Sequence, residues 1–259
     1  WHHRECTNGD SYGKCEAGFN SCQASAGKSP AAAPCRGWTR LIRSGPPGGR
    51  SRRDEGHNKA NQSRRDQIAA AATELFAQRG YFGTGMEDIA TAVGMGTSSL
   101  YNHFRSKQEV LSVVLLRTME DQLRTHARAL AGAVDPVDKL HRSMIAHVQF
   151  HTENVVATRV INTQVTALAE PHRSMVHQLR RDYVSRWQAI IDEGVGSGQF
   201  TVADRRITCF ALLDMGIGIP LWYDRDGRLS QQELIDCYAD MALRLVGVDP
   251  AVVRDSAAD

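Results

Sequence analysis

With 259 residues, 42% hydrophobic and 23% charged, the chain has the composition of a globular protein able to bury a core. A formal charge of +2 excludes a global basic excess, so any affinity for nucleic acid must come from local clustering. The sequence has no apolar run long enough to span a bilayer and no basic-then-apolar signal layout, which predicts a cytoplasmic setting with no membrane partner.

Residues 1–60 read as a disordered extension rich in Gly, Ser, Pro and Ala, with Pro46-Pro47-Gly48-Gly49 stopping any helix. Its end is basic (Arg36, Arg40, Arg43, Arg50, Arg52, Arg53). Such an arm could follow phosphates. The reading adopted is a solvated tail, or sequence outside the natural protein, whose removal would leave fold and function unchanged. Cys6, Cys15, Cys22 and Cys35 lie here without a C-x-x-C pair, so no zinc site is expected.

The first predicted helix runs from Asn61 to Gly80, with Ser63 as N-cap and Ile68, Ala72, Leu75 and Phe76 on one face. Arg64 and Arg65 at its start could reach phosphate, and Thr84 is the candidate cap of the next helix. Met86 to Val93 buries Ile89, Ala90 and Val93; Gly94-Met95-Gly96 makes a turn; Thr97 to Phe104 forms a second short helix anchored by Leu100 and Phe104. Its outer face of Thr97, Ser98, Ser99, Tyr101, Asn102 and His103 suits a DNA major groove, where such side chains bond phosphates and base edges. A helical hairpin with a glycine turn and no DNA role is the plainer alternative.

Ser106 can cap a long helix from Lys107 to about Ala131. Lys107 in its first turn opposes the helix dipole, and a phosphate partner would explain it. Asp135-Pro136 starts the next helix, with Leu140, Met144, Val148 and His151 at spacing four. Further helical segments are Asn154 to Ala169, a long run through Val176, Tyr183, Trp187 and Ile191 before Gly194, Asp204 to Tyr223, and one capped by Ser230. Cys209 and Cys237 fall on apolar faces and are expected to be buried thiols. With no alternating pattern anywhere, the class is all-α.

The run Ile68 to Leu111 resembles the DNA-binding domain of the TetR family of bacterial one-component transcriptional regulators. The matching residues are Ala72, Leu75, Phe76, Arg79-Gly80-Tyr81, Thr84, Ile89-Ala90, Val93-Gly94-Met95, Leu100-Tyr101, His103-Phe104, Lys107 and Leu111. Gly96 stands where the family usually has a Ser-type cap, and Ser98 where glycine is usual. Trp222-Tyr223-Asp224, Gly227, Leu229, Ser230, Leu234, Tyr238 and Ala239-Asp240 are similar to members that answer acyl-CoA thioesters in lipid or sterol breakdown.

The resemblance implies a helix-turn-helix domain over 61–106, a ligand-binding and dimerisation domain over 107–249 and a disordered tail over 250–259. The expected function is a repressor that binds a near-palindromic double-stranded operator as a homodimer through 203–223 and 230–246, released by a small apolar effector. Thr84, Thr97, Ser98, Ser99, Tyr101, Asn102, His103 and Lys107 would meet DNA. His147, His151, Gln164, Trp187, Met215 and Trp222 would line the effector pocket. His141, His147 and His151 could in principle meet a metal, but polar histidines in a bundle are the plainer reading; no metal, cofactor or enzymatic motif is expected. A helical protein–protein adaptor without specific DNA binding is the alternative function.

Overall fold

A computed structural model describes residues 52–251 and Val253, and every regular element among them is helical. The head consists of α1 (Arg52–Arg79), α2 (Met86–Ala92) and α3 (Thr97–Tyr101). The connector α4 (Lys107–Ala129) leads to α5 (Pro136–Glu153), α6 (Val155–Gln164), a 3-10 turn (Val165–Ala167) and α7 (His172–Gly196). The body closes with α8 (Arg205–Ile217), α9 (Ile219–Trp222) and α10 (Gln231–Leu245). The expected all-α class is the class found.

Caps explain most of the boundaries. The Ser106 side chain accepts from the Glu109 N–H, Asp135 from the Asp138 N–H ahead of Pro136, and Ser230 forms a capping box with Glu233. Asp204 caps α8 in the same way. At the other end, α1 stops at Gly80, whose φ of 71° a side chain would resist.

Several boundaries differ from expectation. Helix α1 begins at Arg52 rather than near Asn61, and Ser63 lies inside it. The added stretch is polar and charged and contains no proline, so nothing in it stops the helix outright. Thr84 does not cap α2; Gly85 does, with the Asp88 side chain accepting from the Gly85 N–H. Helix α3 ends at Tyr101 instead of Phe104, because the Asn102 and His103 amides bond back only three residues. Helix α6 stops at Gln164 and tightens into the 3-10 turn. The Asp204–Tyr223 segment breaks at Gly218 into α8 and α9, with Pro220 in the first turn of α9. The four early cysteines and residues 1–51 of the expected extension lie outside the described residues, as does most of the expected tail.

One core joins head and body. Ile68, Phe76, Leu100 and Phe104 belong to the same buried cluster as Leu111, Leu140, Trp187, Leu213 and Leu243. Helix α1 packs on both α4 and α6, so the head rests on the connector and on the body. Burying one such aliphatic or aromatic side chain contributes roughly 1.5–3 kcal/mol, so this shared core resists separation of the two parts.

The outer faces of α8 and α10 are apolar yet exposed. Ile207 is 70% exposed, and Phe210, Ile217, Met241 and Leu245 stand out beside it. Cys237, expected to be buried, shares this outer stripe of α10 with Met241 and Leu245 at spacing four, and is exposed.

Gly194 is inside α7, where an added Cβ would lie 2.1 Å from the Phe200 ring; at Gly196 nothing lies within 4 Å. Gly194→Ala should therefore destabilise the protein by about 1–3 kcal/mol through overpacking. Gly196→Ala should be neutral or stabilising by up to about 1 kcal/mol. Urea unfolding of the pair checks both signs.

Candidate nucleic-acid interface and buried polar cluster

A helix as short as α3 must be held by its surroundings. Leu100 and Phe104 pin it from below, both fully buried. Gly94, at φ 64°, turns the chain into it; Gly96 is the N-cap but gives no side-chain bond, at an ordinary φ of −71°. The departure from a Ser-type cap therefore has a local consequence: the first turn of α3 keeps free N–H groups.

Arg65 on α1 supplies the remaining restraint. Its guanidinium lies 4.0 Å above the Phe104 ring, donates to the His103 carbonyl, and bonds Glu109 Oε1 at 2.9 Å. Glu109 Oε2 accepts from the Arg105 N–H at 2.8 Å. Burial would raise the Glu109 carboxyl, but the Arg105 amide bond, the Arg65 bond and the two guanidinium charges together hold it below its ordinary value. Arg65, expected to reach phosphate, thus faces inward. Arg64 bonds Gln67 at 2.7 Å.

This frame leaves Ser98, Ser99, Tyr101 and Asn102 exposed, with Thr97 and His103 half-buried beside them. His103 Nδ1 pairs with Asn61 Oδ1 at 2.8 Å. Thr84 is 1% exposed, and its hydroxyl donates to the Gly80 carbonyl at 2.9 Å. Lys107 Nζ donates to the carbonyls of Tyr81 at 2.9 Å and Thr84 at 2.7 Å, and sits 4.3 Å over the Tyr81 ring. Those partners explain a cation at that helix start without a phosphate.

Around Tyr81 the head is tied to the body. Gln164 Oε1 accepts from the Tyr81 N–H at 2.9 Å. Gln108 Nε2 donates to the Tyr81 hydroxyl and the Ala167 carbonyl, each at 2.8 Å, while its Oε1 accepts from the Ala169 N–H at 2.9 Å. Gln164, expected in the effector pocket, is instead part of this clamp.

His147, His151 and Trp187 do come together, deep between α4, α5, α7 and α8. The rings of His147 and His151 are 4.6 Å apart, those of His147 and Trp187 5.5 Å, and those of His126 and Trp187 5.8 Å. Gln122 reaches both His147 Nδ1 and His151 Nε2 at 3.4 Å, and Tyr183 bonds His147 Nδ1 at 3.0 Å. Gly216 makes the room: a Cβ there would lie 2.2 Å from the His147 ring. Gly216 thus admits a histidine to the core.

Gln122, His126 and Tyr183 were missed by sequence reasoning. The signal was present as three polar–aromatic pairs at spacing four, Gln122/His126, His147/His151 and Tyr183/Trp187, one on each of three helices. Met215 is half-buried against the core, and Trp222 is 52% exposed on the surface, so neither joins the cluster. Among the described residues no three His, Cys, Asp or Glu side chains are placed to hold a metal ion. Open surface grooves of about 620 Å³ beside α1 and α6, and about 710 Å³ along α7 and α8, lie away from the cluster. The cluster sets a few polar groups among apolar and aromatic walls, the chemical make-up of a small-molecule site.

Burial pushes His126 down to about 4, helped by the charge of Arg186, and His147 down to about 4. Burial and the neighbouring His147 push His151 to about 2. All three rings are neutral in the folded protein at pH 7, whereas an unfolded chain takes up protons below about pH 6.5. Stability is therefore complete above that pH and should fall as pH drops from 6.5 toward 4, by on the order of 1–2 kcal/mol per histidine at pH 5. Urea midpoints measured from pH 7.5 to 5 test this; a flat profile would contradict neutral burial.

Two family models match the chain: "Bacterial regulatory proteins, tetR family" over residues 68–114 and "Tetracyclin repressor-like, C-terminal domain" over residues 133–246. The chain is 26% identical over 183 residues to the HTH-type transcriptional repressor KstR2 of Mycolicibacterium smegmatis, covering 70% of this chain and 89% of that protein. It is similar to PfmR, a TetR family transcriptional regulator of Thermus thermophilus, with TM-score 0.64 and 30% identity over 68% of this chain and 97% of that one. AibR, solved in complex with isovaleryl coenzyme A and operator DNA, shares the fold at TM-score 0.65 and 24% identity, over 69% of this chain and 97% of that one.

Proposed function

Because this chain belongs to the TetR family of transcriptional regulators, we propose that it is a dimeric repressor released from its operator by a small apolar effector bound within the body. The carrying observation is the outward face of α3, where Ser98, Ser99, Tyr101 and Asn102 stand exposed on a helix held rigidly from behind. Each subunit would set α3 in a major groove, on half-sites one helical turn or a little more apart. Thr97, Ser98, Ser99 and Asn102 would read or approach bases, and Tyr101 would hold phosphate. The internal bonds of Thr84, His103 and Lys107 favour a part in keeping the helix in its pose over contact with phosphate.

The exposed apolar stripe of α8 and α10 supports dimerisation through 203–223 and 230–246, since a patch led by Ile207, Phe210 and Met241 is costly to leave in water. In the effector site, His147, His151 and Trp187 remain from the expected lining, joined by Gln122, His126 and Tyr183. An acyl-CoA thioester is one effector class consistent with the chain, given that AibR binds isovaleryl coenzyme A on this fold. Release would run through α4: a shift at Gln122 and His126 is carried along one rigid helix to Lys107 and Gln108, which hold the Tyr81 loop of the head.

Selection of random duplex DNA by the purified protein, repeated across salt, should recover a near-palindrome with a steep loss of affinity as salt rises. Asn102→Ala should relax specificity at one position at a cost of about 1–3 kcal/mol, and Tyr101→Ala should weaken all sequences alike. Sequence-blind binding, or no effect of either change, would remove α3 as the reading face.

A further inference from the structure

The hydrogen-bonding capacity of the buried cluster can be followed atom by atom. His147 Nε2 faces the Leu213 carbonyl at 3.0 Å, so it carries the proton and Nδ1 is an acceptor. The single lone pair of that acceptor takes the Tyr183 hydroxyl at 3.0 Å, with the Gln122 amide a weaker second donor at 3.4 Å. The opposite Gln122 orientation would set a carbonyl oxygen against a bare ring nitrogen, so the amide donates to His151 Nε2 as well. His151 is then protonated on Nδ1. The Ser143 hydroxyl spends its proton on the Lys139 carbonyl at 2.7 Å, so it accepts from His126 Nε2 at 3.0 Å, leaving His126 Nδ1 an acceptor.

Among the described residues, three buried atoms have no protein partner: His126 Nδ1, His151 Nδ1 and Trp187 Nε1. Trp187 Nε1 lies near the Tyr183 hydroxyl but outside hydrogen-bond geometry. Each such atom costs about 1–3 kcal/mol when buried unpaired, and leucine or phenylalanine at these positions would avoid that cost. The unused set is two donors, from Trp187 and His151, and one acceptor, on His126. No lysine or arginine belongs to the cluster; the neighbouring Arg186 is exposed and donates to the Leu123 carbonyl at 2.7 Å. A carboxylate or phosphate buried here would lack a counter-charge.

We infer that the polar end of the body's ligand is uncharged and presents one accepting oxygen together with one hydrogen-bond donor, as an amide or a hydroxy-ketone does, and is neither an anion nor a metal ion. In such a complex the two ring N–H groups would donate to the accepting oxygen, and His126 Nδ1 would take the ligand's donor. This rests on the reading that the effector binds in the body. For an acyl-CoA, it would put an acyl-side carbonyl within the cluster and the phosphates outside.

Long-range ¹⁵N NMR of the histidine rings in the full chain should show His126 and His147 protonated on Nε2 and His151 on Nδ1; any other pattern overturns the inference. Calorimetric titration then compares octanamide (acceptor and donor), 2-nonanone (acceptor alone) and octanoate (anion). Octanamide should bind about two- to tenfold tighter than 2-nonanone, the worth of one hydrogen bond, and at least about tenfold tighter than octanoate. Trp187→Phe should weaken octanamide several-fold; His126→Phe should remove its advantage over 2-nonanone. Tighter binding of octanoate overturns the inference, as does equal binding of all three or no saturable binding, the last meaning that water alone completes the cluster. Operator release separates the two readings. Octanamide that binds without releasing the selected duplex sustains this ligand class and removes the effector role, whereas octanoate that binds and releases does the reverse.

Discussion

A recognition helix of five residues has no stability of its own, since helix nucleation alone is unfavourable over so short a span. Everything around α3 answers that constraint. Leu100 and Phe104 anchor it in the core, Gly94 sets its entry, and Arg65 fastens its exit through the His103 carbonyl, the Phe104 ring and Glu109. The Arg65–Glu109 pair is only partly exposed, and it anchors three elements at once. That distinguishes it from surface pairs such as Arg173–Glu170, whose contribution is small. Ser98, Ser99 and Asn102 on the outward face are then left polar and exposed, with the packing carried by the buried side.

The same economy governs the joint between head and body. A shared apolar core would by itself allow sliding, because dispersion contacts carry little direction. Four polar side chains add the direction. Gln164 holds the Tyr81 amide, Gln108 bridges the Tyr81 hydroxyl to the backbone after α6, and Lys107 and Thr84 fill the carbonyls of the loop between α1 and α2. Two of these, Lys107 and Gln108, open the helix whose other half carries Gln122 and His126. A displacement in the cluster would have one continuous helix, α4, along which to reach the head.

Much of this was legible in the sequence. The helix-turn-helix, its buried anchors, the caps at Ser106, Asp135 and Ser230, and the all-helical body follow from periodicity and local capping chemistry, which act within a few residues. What stayed hidden depends on distant pairing. A lysine at a helix start looks like a phosphate ligand until two carbonyls 23 and 26 residues away are seen to face it. Gln164 looks like a pocket residue until it meets Tyr81, 83 positions earlier. His147 and His151 sit on an apolar face and read as polar exceptions, because their partners Gln122 and Tyr183 come from other helices. The role of Gly216 was hidden for the same reason: the ring it admits belongs to α5.

Two features of the subunit work against its own stability, in opposite senses. The outer stripe of α8 and α10 leaves apolar side chains in water, and the interior leaves three polar atoms unpaired among aromatic rings. Folding alone would favour the reverse of each, with polar residues at Ile207 and Met241 and apolar ones at His126 and His151. The two conflicts also lie on connected elements, since α8 presents the exposed stripe on one side and supplies the Leu213 carbonyl and Gly216 to the cluster on the other. A second subunit covering the outside and a ligand completing the inside would each relieve one conflict. Because α8 borders both, what fills the cluster bears directly on the helix that the partner would grip.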